Sequence, residues 1–238
     1  MQNRNFINYA HRGASSYAPE NTMSAFYLGL RMGANGIETD VQRTKDGVLV
    51  LFHDDTLKRV TGQEGSIQDY TYEELQGFDV CCYGRKDKIV KFRDFLEAFS
   101  GLDLQFAIEF KQEFTEQQTI DMLEEYGMRS KAILTSFKIE CLMRAKLYAP
   151  DYVAGYLTGD VNEMTLKVLK TMGVEQVCPQ GKLVNREFVD WIHGQGFSVR
   201  AWGIEDEARM KQVYDAGADG MTVNFPDKLT EYMAQREA

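Results

Sequence analysis

The chain lacks the features that would attach it to a membrane or to a nucleic acid. No apolar run reaches the length that spans a bilayer, and the polar start Met1-Gln2-Asn3-Arg4-Asn5 does not have the pattern of a secretory signal. Basic residues are in deficit, since 27 Lys and Arg stand against 36 Asp and Glu, for a formal net charge of −9. We therefore expect a cytoplasmic protein that binds no nucleic acid and does not insert into membranes.

Cysteine is scarce as well. The four cysteines are Cys81, Cys82, Cys141 and Cys178, and their spacing matches neither a zinc motif nor a disulfide framework, so we predict reduced thiols. A G-x-G-x-x-G segment after the first predicted strand is also missing, which weakens the case for a dinucleotide-binding protein.

What the sequence does contain is a regular alternation of strand-like and helix-like segments. A helix follows each predicted strand, the first helix spanning residues 19–32, and the strands are 6–10, 36–41, 104–111, 131–137, 152–158, 176–180, 197–203 and 219–224. Strict alternation implies a parallel sheet, and eight such units fit a closed (β/α)8 TIM barrel, with a doubly wound open sheet as the alternative. The sequence does not indicate an oligomeric state.

The second strand continues into a predicted β-hairpin extension. Lys45-Asp46-Gly47 is a turn signal between two strand-like runs. If the chain reverses there, the numbers of opposed residues sum to about 91. This register pairs Thr39 with Phe52 and Glu38 with His53, and it brings the histidine to the acidic strand.

Residues 54 to about 90 interrupt the alternation with loop-like sequence and a short capping-box helix at Thr71-Tyr72-Glu73-Glu74. We predict that they form a small insertion subdomain over the site, within a single TIM-barrel domain of residues 1–238. Asp54, at the start of the insertion, either helps to orient His53 or merely ends the strand.

Charged residues collect at the predicted carboxyl ends of the strands, where the active sites of this fold lie. Glu38 and Asp40 are two residues apart and share one face of a strand, and Glu109 repeats that spacing with Lys111. Hard cations such as Mg²⁺ and Ca²⁺ prefer carboxylate oxygens, so the pattern indicates a cation site. A solvated hairpin with ordinary surface acids is the alternative.

Two of the three histidines fall at the same rim. His11 and Arg12 end the first strand and His53 ends the hairpin, and imidazoles transfer protons near neutral pH. His193 lies at a helix end, where we expect a structural interaction with the helix dipole. Trp202 ends the seventh strand, and we predict that it forms a wall of the substrate site, with core packing as the alternative.

Five motifs, in this order and at these spacings, resemble the glycerophosphodiester phosphodiesterase family. They are His11-Arg12-Gly13, Pro19-Glu20-Asn21-Thr22, Ile37-Glu38-x-Asp40-Val41, His53-Asp54 and Ile108-Glu109-x-Lys111. The resemblance covers nearly the whole chain. It implies metal-dependent hydrolysis of a small-molecule glycerophosphodiester to glycerol 3-phosphate and an alcohol.

The resemblance also implies roles for the rim residues. Glu38, Asp40 and Glu109 resemble the family's metal ligands, and His11 and His53 its acid/base pair. Three buried acids without a cation would repel one another, so one bound divalent cation is the simplest way to keep them charged. We expect Mg²⁺ or Ca²⁺, although hard oxygen ligands also suit Mn²⁺.

Arg12 and Lys111 are predicted to contact the phosphate, because an anionic diester requires donors and the arginine fork binds phosphate with two nitrogens. A structural role as partners of the neighbouring acids is the alternative. Glu20 and Asn21 are expected to be loop and cap residues rather than substrate contacts.

Three segments depart from the family pattern, and none touches the metal or acid/base positions. Trp-Thr-Val-Asn, Thr-Asp-x-Pro and Ile-Pro-Thr-Leu are replaced by Trp202-Gly203-Ile204-Glu205, Val223-Asn224-Phe225-Pro226 and Ile89-Val90-Lys91-Phe92. The departures leave the preferred alcohol open. A lyase that stops at a cyclic phosphate and a non-catalytic phosphodiester-binding protein are the alternative functions.

Overall fold

Short runs of buried residues form the strands in the computed structural model, which describes residues 5–237. The strands are β1 (Ile7–His11), β2 (Gly36–Arg43), β3 (Leu49–Leu51), β4 (Val80–Cys82), β5 (Arg85–Asp87), β6 (Gln105–Phe110), β7 (Ala132–Ser136), β8 (Val153–Thr158), β9 (Gln176–Pro179), β10 (Ser198–Ile204) and β11 (Gly220–Val223). All but β3, β4 and β5 pair in parallel with both neighbours, and β1 closes the ring by pairing with β2 and β11. The predicted (β/α)8 TIM barrel is confirmed, and the open sheet is excluded.

The helices surround this barrel. They are α1 (Met23–Arg31), α2 (Lys58–Thr61), α3 (Tyr72–Leu75), α4 (Phe92–Phe99), α5 (Glu116–Glu125), α6 (Ile139–Tyr148), α7 (Glu163–Met172), α8 (Arg186–Gly194), α9 (Glu207–Ala216) and α10 (Pro226–Glu237). Side-chain oxygens of Asn162, Asn185 and Asp206 accept from backbone N–H groups in the first turns of α7, α8 and α9. These caps fix where the helices begin.

Apolar packing between barrel and helices forms two main clusters. One contains Phe26, Phe95 and Phe106, and the other contains Val177 and Met210. No helix in residues 5–237 combines the length and the apolar character needed to cross a bilayer. All four cysteines are free, as their spacing predicted.

Helix α1 starts later than the sequence suggested. It begins at Met23, because the side chain of Thr22 accepts a hydrogen bond from the Ala25 N–H and acts as the N-cap. The predicted start at Pro19 is therefore wrong, and Glu20 and Asn21 lie in a loop over the end of the barrel.

The hairpin formed by β2 and β3 has a register one residue away from the prediction. Arg43 pairs with Leu49 in the ladder, so opposed numbers sum to 92, and the proposed pairing of Glu38 with His53 is wrong. The connection is a three-residue loop that ends in Gly47 at φ 84°, a left-handed conformation that glycine adopts without strain. The ladder ends at Leu51, and His53 lies beyond it.

The segment after β3 carries α2, α3 and the antiparallel pair β4–β5. Its apolar side chains pack on Val50 of β3 and form a separate cluster. This cluster includes Phe52, Leu57, Ile67 and Leu75. The capping box predicted at Thr71 is present. We retain as a prediction that this segment is an inserted subdomain within a single domain of residues 1–238.

Candidate active site

Three carboxylates converge at the carboxyl ends of β2 and β6. Asp40 and Glu109 are partners across the two strands, and Glu38 lies two residues before Asp40 on the same face. The three offer oxygens within 4.8 Å of one another. All three side chains are buried, with 3, 0 and 6% of Glu38, Asp40 and Glu109 exposed, so this is not a solvated acidic patch.

Burial and neighbouring charges shift the pKa values of the three carboxylates in different directions. Burial, and then the charge of Asp40, raises the pKa of Glu38 well above its ordinary value and that of Glu109 to about 7. Burial alone would raise the pKa of Asp40 too, but Arg12 and Lys111 lower it below the usual range. Two of the three acids are therefore more readily protonated than ordinary carboxyl groups, and a bound cation would favour their charged forms.

The cluster has the chemistry of a divalent cation site. The buried Asp40 Oδ1 accepts no hydrogen bond within residues 5–237, and its ion-pair contact to the Lys111 Nζ measures 3.9 Å. A buried acceptor without a donor is costly, and a cation would satisfy it. Three carboxylates are the donor set that Mg²⁺ and Ca²⁺ prefer, so the residues present fit such an ion.

The two predicted phosphate donors flank this cluster. Arg12 Nε lies 3.3 Å from Asp40 Oδ2, and Lys111 Nζ donates to Glu109 Oε1 over 2.9 Å. Arg12 has a left-handed φ of 53°, and Gly13 follows with a φ of 81° in a turn too close to Ala25 for any Cβ. This turn places the guanidinium over the carboxylates instead of along the strand.

Both candidate histidines are held through Nδ1. His11 Nδ1 lies 2.5 Å from Asn224 Oδ1, and His53 Nδ1 lies 2.8 Å from Asp54 Oδ1. Since each acceptor fixes the Nδ1–H tautomer, Nε2 is the nitrogen left for chemistry, and in His11 it lies 3.8 Å from the Glu38 carboxylate. The His11 and His53 side chains are 30 and 29% exposed, so a substrate reaches them.

The surroundings favour the neutral form of both imidazoles. Burial lowers the pKa of His11 below 6.5, and the charge of Arg12 adds to the shift. Burial also lowers the pKa of His53, although Asp40 and the hydrogen bond to Asp54 oppose this. The two imidazoles differ in the group that accepts the hydrogen bond from Nδ1. This group is the neutral amide of Asn224 for His11 and the carboxylate of Asp54 for His53.

Several supporting residues were missed or undervalued at the sequence level. Asn21, expected to be a loop residue, is buried with φ 55°, donates to Asp40 Oδ2 over 2.9 Å and accepts from Thr39 Oγ1 over 2.8 Å. Glu20 accepts from Arg12 Nη1 over 2.8 Å. The signal for both was the run of polar residues before α1, which is longer than one N-cap requires. Asn224 belongs to a segment that departs from the family pattern, and its contact with His11 shows that the expectation that no departure touches the acid/base positions is wrong.

Trp202 lies at the same rim, at the end of β10. Its ring meets Phe137 edge-on with centroids 4.9 Å apart, and its Nε1 donates to the carbonyl of Thr158 over 3.3 Å. Lys111 Nζ lies 5.8 Å from the centre of the Phe137 ring. The aromatic pair thus adjoins the Lys111 side of the site, where we predict a wall for the substrate.

The opposite end of the barrel contains none of these residues. His193 pairs there with Asp219, over 2.8 Å between Nε2 and Oδ2, consistent with a structural role. A cavity of about 650 Å³ at this end is lined in part by Tyr9, Arg200 and Asp219.

Comparisons with known proteins place this geometry in one family. The model of the glycerophosphoryl diester phosphodiesterase family matches residues 11–228. A glycerophosphodiester phosphodiesterase of Caldanaerobacter subterraneus subsp. tengcongensis is 32% identical over 231 residues, 92% of this chain and 94% of that protein. A glycerophosphodiester phosphodiesterase of Bacillus altitudinis is also 32% identical, over 235 residues that cover 94% of this chain and 96% of that one.

A solved structure supports the same relationship. An Oleispira antarctica phosphodiesterase in complex with the product sn-glycerol-3-phosphate superposes with a TM-score of 0.84 at 26% identity, covering 95% of this chain and 96% of that chain.

Proposed function

Because the chain belongs to the glycerophosphoryl diester phosphodiesterase family and is a glycerophosphodiester phosphodiesterase, we propose that its hydrolysis is metal-dependent and uses two histidines. Glu38, Asp40 and Glu109 would hold one divalent cation, and His11 and His53 would act as the acid/base pair. The observation that carries the proposal is the convergence of three buried carboxylates and two histidines held through Nδ1 at one rim of the barrel.

The phosphate of the substrate would bind between the cationic side chains. Arg12 and Lys111 donate to phosphate oxygens and stabilise the negative charge that develops as the ester bond breaks. The cation, when bound, supplies Lewis acidity to a phosphate oxygen and lowers the pKa of a nearby hydroxyl. Trp202 would form one wall of the substrate site beside Lys111.

The supports of the two histidines suggest a division of labour. Asp54 opposes the lowering of the His53 pKa, so His53 is the better suited of the two imidazoles to carry a proton and would protonate the leaving alcohol. Burial and the charge of Arg12 lower the pKa of His11, and Asn224 places no negative charge behind it, so His11 would be the neutral base that takes the proton of the nucleophile. The nucleophile is water or the 2-hydroxyl of the glycerol, which would form a cyclic phosphate.

Product analysis by ³¹P NMR with glycerophosphocholine tests this proposal against the alternatives. Hydrolysis gives the monoester glycerol 3-phosphate, a lyase gives a cyclic diester that persists, and a binding protein leaves the substrate unchanged. We expect the monoester to accumulate and any cyclic diester to be transient. A persistent cyclic diester would replace the hydrolase with the lyase.

Cation affinity should increase with pH. Glu109 has a pKa raised to about 7, so below that pH it holds a proton that a cation must displace. Titration calorimetry with Mn²⁺ should show affinity falling by about tenfold or more per pH unit below pH 7, because the pKa values of both Glu109 and Glu38 are raised, with proton release on binding. Glu109→Gln, which has no proton to lose, should bind more weakly with a flatter pH dependence. Equal affinity of the wild type at pH 5.5 and 7.5 would contradict the site.

The insertion is proposed to influence which alcohol is accepted. Tyr83, 78% exposed, lies in the β4–β5 turn, and the Arg85 Nη1 of this hairpin donates to the carbonyl of Tyr17 over 3.0 Å, beside the loop of Glu20. Tyr83→Ala should shift the kcat/KM ratio of glycerophosphocholine to glycerophosphoethanolamine by about 10-fold, the lower end of the range for one lost apolar contact. Leu147→Ala, equally exposed on α6, is the control. Identical ratios in both variants would make this turn only structural.

We also propose that the enzyme acts in the cytoplasm on glycerophosphodiesters released during lipid and glycerol metabolism. The free cysteines and the net charge of −9 support this assignment.

A further inference from the structure

Arg59, on α2 in the segment after β3, joins two acids that support opposite parts of the site. Its Nε and Nη2 donate to the two carboxylate oxygens of Asp54, over 2.6 and 2.9 Å. Its Nη1 and Nη2 donate to the two oxygens of Glu20, over 2.8 and 2.7 Å. The Arg59 guanidinium therefore binds all four carboxylate oxygens of Asp54 and Glu20, which lie 5 and 39 residues away in the sequence.

Each of these acids holds a residue of the proposed chemistry. Asp54 Oδ1 accepts from His53 Nδ1 over 2.8 Å, and Glu20 Oε1 accepts from Arg12 Nη1 over 2.8 Å. A continuous chain of charged hydrogen bonds thus runs from His53 through Arg59 to Arg12. The side chains of Glu20 and Asp54 are 17 and 20% exposed, whereas that of Arg59 is 52% exposed. Arg59 therefore covers the two acids from the solvent side.

A second cation between these acids is not required. Glu20, His53 and Asp54 offer ligand atoms within 4.8 Å of one another, which is close enough for a metal. The guanidinium already supplies the positive charge at this place and occupies the carboxylate oxygens. Without it, the two carboxylates would repel each other and release the side chains that they hold.

We propose that Arg59 is a positioning residue that sets the His53 imidazole and the phosphate-binding Arg12 together, an inference that rests on the roles proposed above for those two residues. The arginine fork makes two bidentate contacts at once, which the single ammonium of lysine does not reproduce. Through Asp54, Arg59 acts on proton transfer and hence on kcat. Through Glu20 it acts on phosphate binding and hence on KM.

The experiment compares Arg59→Lys and Arg59→Ala with the wild type on glycerophosphocholine in the presence of a divalent cation. We expect kcat/KM to fall about 10- to 100-fold, the effect of losing a residue that orients a functional side chain without contacting the substrate itself. Guanidinium chloride, well below unfolding concentrations, should restore part of the activity of Arg59→Ala. Binding of inorganic phosphate, measured by calorimetry without turnover, should weaken in both variants.

Arg129→Ala is the matched control. Arg129 is 54% exposed and makes a bidentate contact of 3.0 and 2.9 Å to Glu124, away from the site. This variant should keep the wild-type kcat, KM and phosphate affinity, and guanidinium should not change its activity. In an Asp54→Asn background, Arg59→Lys should still raise KM but should change kcat little, because the path to His53 is already broken.

Wild-type kcat and phosphate affinity in a folded Arg59→Lys would overturn the inference, as would a loss of activity matched by Arg129→Ala. A loss in Arg59→Ala that guanidinium does not restore, with unchanged kcat in Arg59→Lys, would show a purely structural role. If Arg59→Ala does not fold, Arg59→Lys decides with the same readouts. An active His53→Ala would instead refute the proposed mechanism, whatever Arg59 does.

Discussion

Replacing either His11 or His53 by alanine is expected to lower kcat on glycerophosphocholine by about 10²- to 10⁴-fold, the range for losing one general acid or base. KM should change less, because the proposed phosphate ligands Arg12 and Lys111 and the proposed cation are left in place. Both histidines are held through Nδ1, and the charge of Asp40 acts on the pKa of both, so each loss would remove one proposed proton-transfer group beside the carboxylates without removing a phosphate donor. Steady-state kinetics of the two variants measure the effect.

A leaving group that needs no proton distinguishes the general acid from the general base. p-Nitrophenolate departs without protonation, so a p-nitrophenyl phosphodiester should rescue the variant that has lost the general acid. We expect His53→Ala to be rescued, because Asp54 supports a protonated His53, and His11→Ala to stay slow. His193→Ala, at the opposite end of the barrel, is the control and should keep the wild-type kcat. Near wild-type kcat in both site variants would show that the pair is structural.

Removal of the cation is expected to abolish turnover. Excess EDTA should reduce the release of glycerol 3-phosphate to background, and added Mg²⁺, Ca²⁺ or Mn²⁺ should restore it, because the proposed cation would supply the Lewis acidity that stabilises the phosphate during ester cleavage. Glu38→Ala, Asp40→Ala and Glu109→Ala should each weaken cation binding, since each removes a charge and an oxygen ligand. Calorimetry and elemental analysis of the purified variants provide the measurement.

A surface acid provides the control for this prediction. Glu125→Ala changes the net charge of the protein equally but removes only a contact to Arg93, so cation affinity and turnover should be unchanged. Full activity in excess chelator, together with an enzyme free of metal by elemental analysis, would refute the assignment of the three carboxylates.

The barrel and the converging rim were predictable because both follow from repeated local patterns. The alternation of strands and helices fixes the parallel barrel, and the spacing of Glu38, Asp40 and Glu109 places them at the ends of its strands. The register of the β2–β3 hairpin was not predictable, because it depends on whether the loop contains two or three residues. The left-handed Gly47 gives three, which shifts the ladder by one residue.

The supporting residues were harder to predict because their partners are distant in sequence. Asn224 holds His11 from 213 residues away, and Arg59 reaches Glu20 over 39 residues. No spacing rule within a strand or helix relates such pairs. Glu20 and Asn21 were assigned to a helix start because they precede an apolar segment, whereas tertiary contacts to Arg12 and Asp40 decide their positions.

A crystal structure of the enzyme with glycerol 3-phosphate and Mn²⁺ tests the account most directly. It should show the ion bound by Glu38, Asp40 and Glu109, and the phosphate in contact with Arg12 and Lys111. The Nε2 atoms of His11 and His53 should face non-ester oxygens of the phosphate from two sides. A phosphate bound in the cavity at the amino end of the strands, or an ion held away from the three carboxylates, would contradict the account.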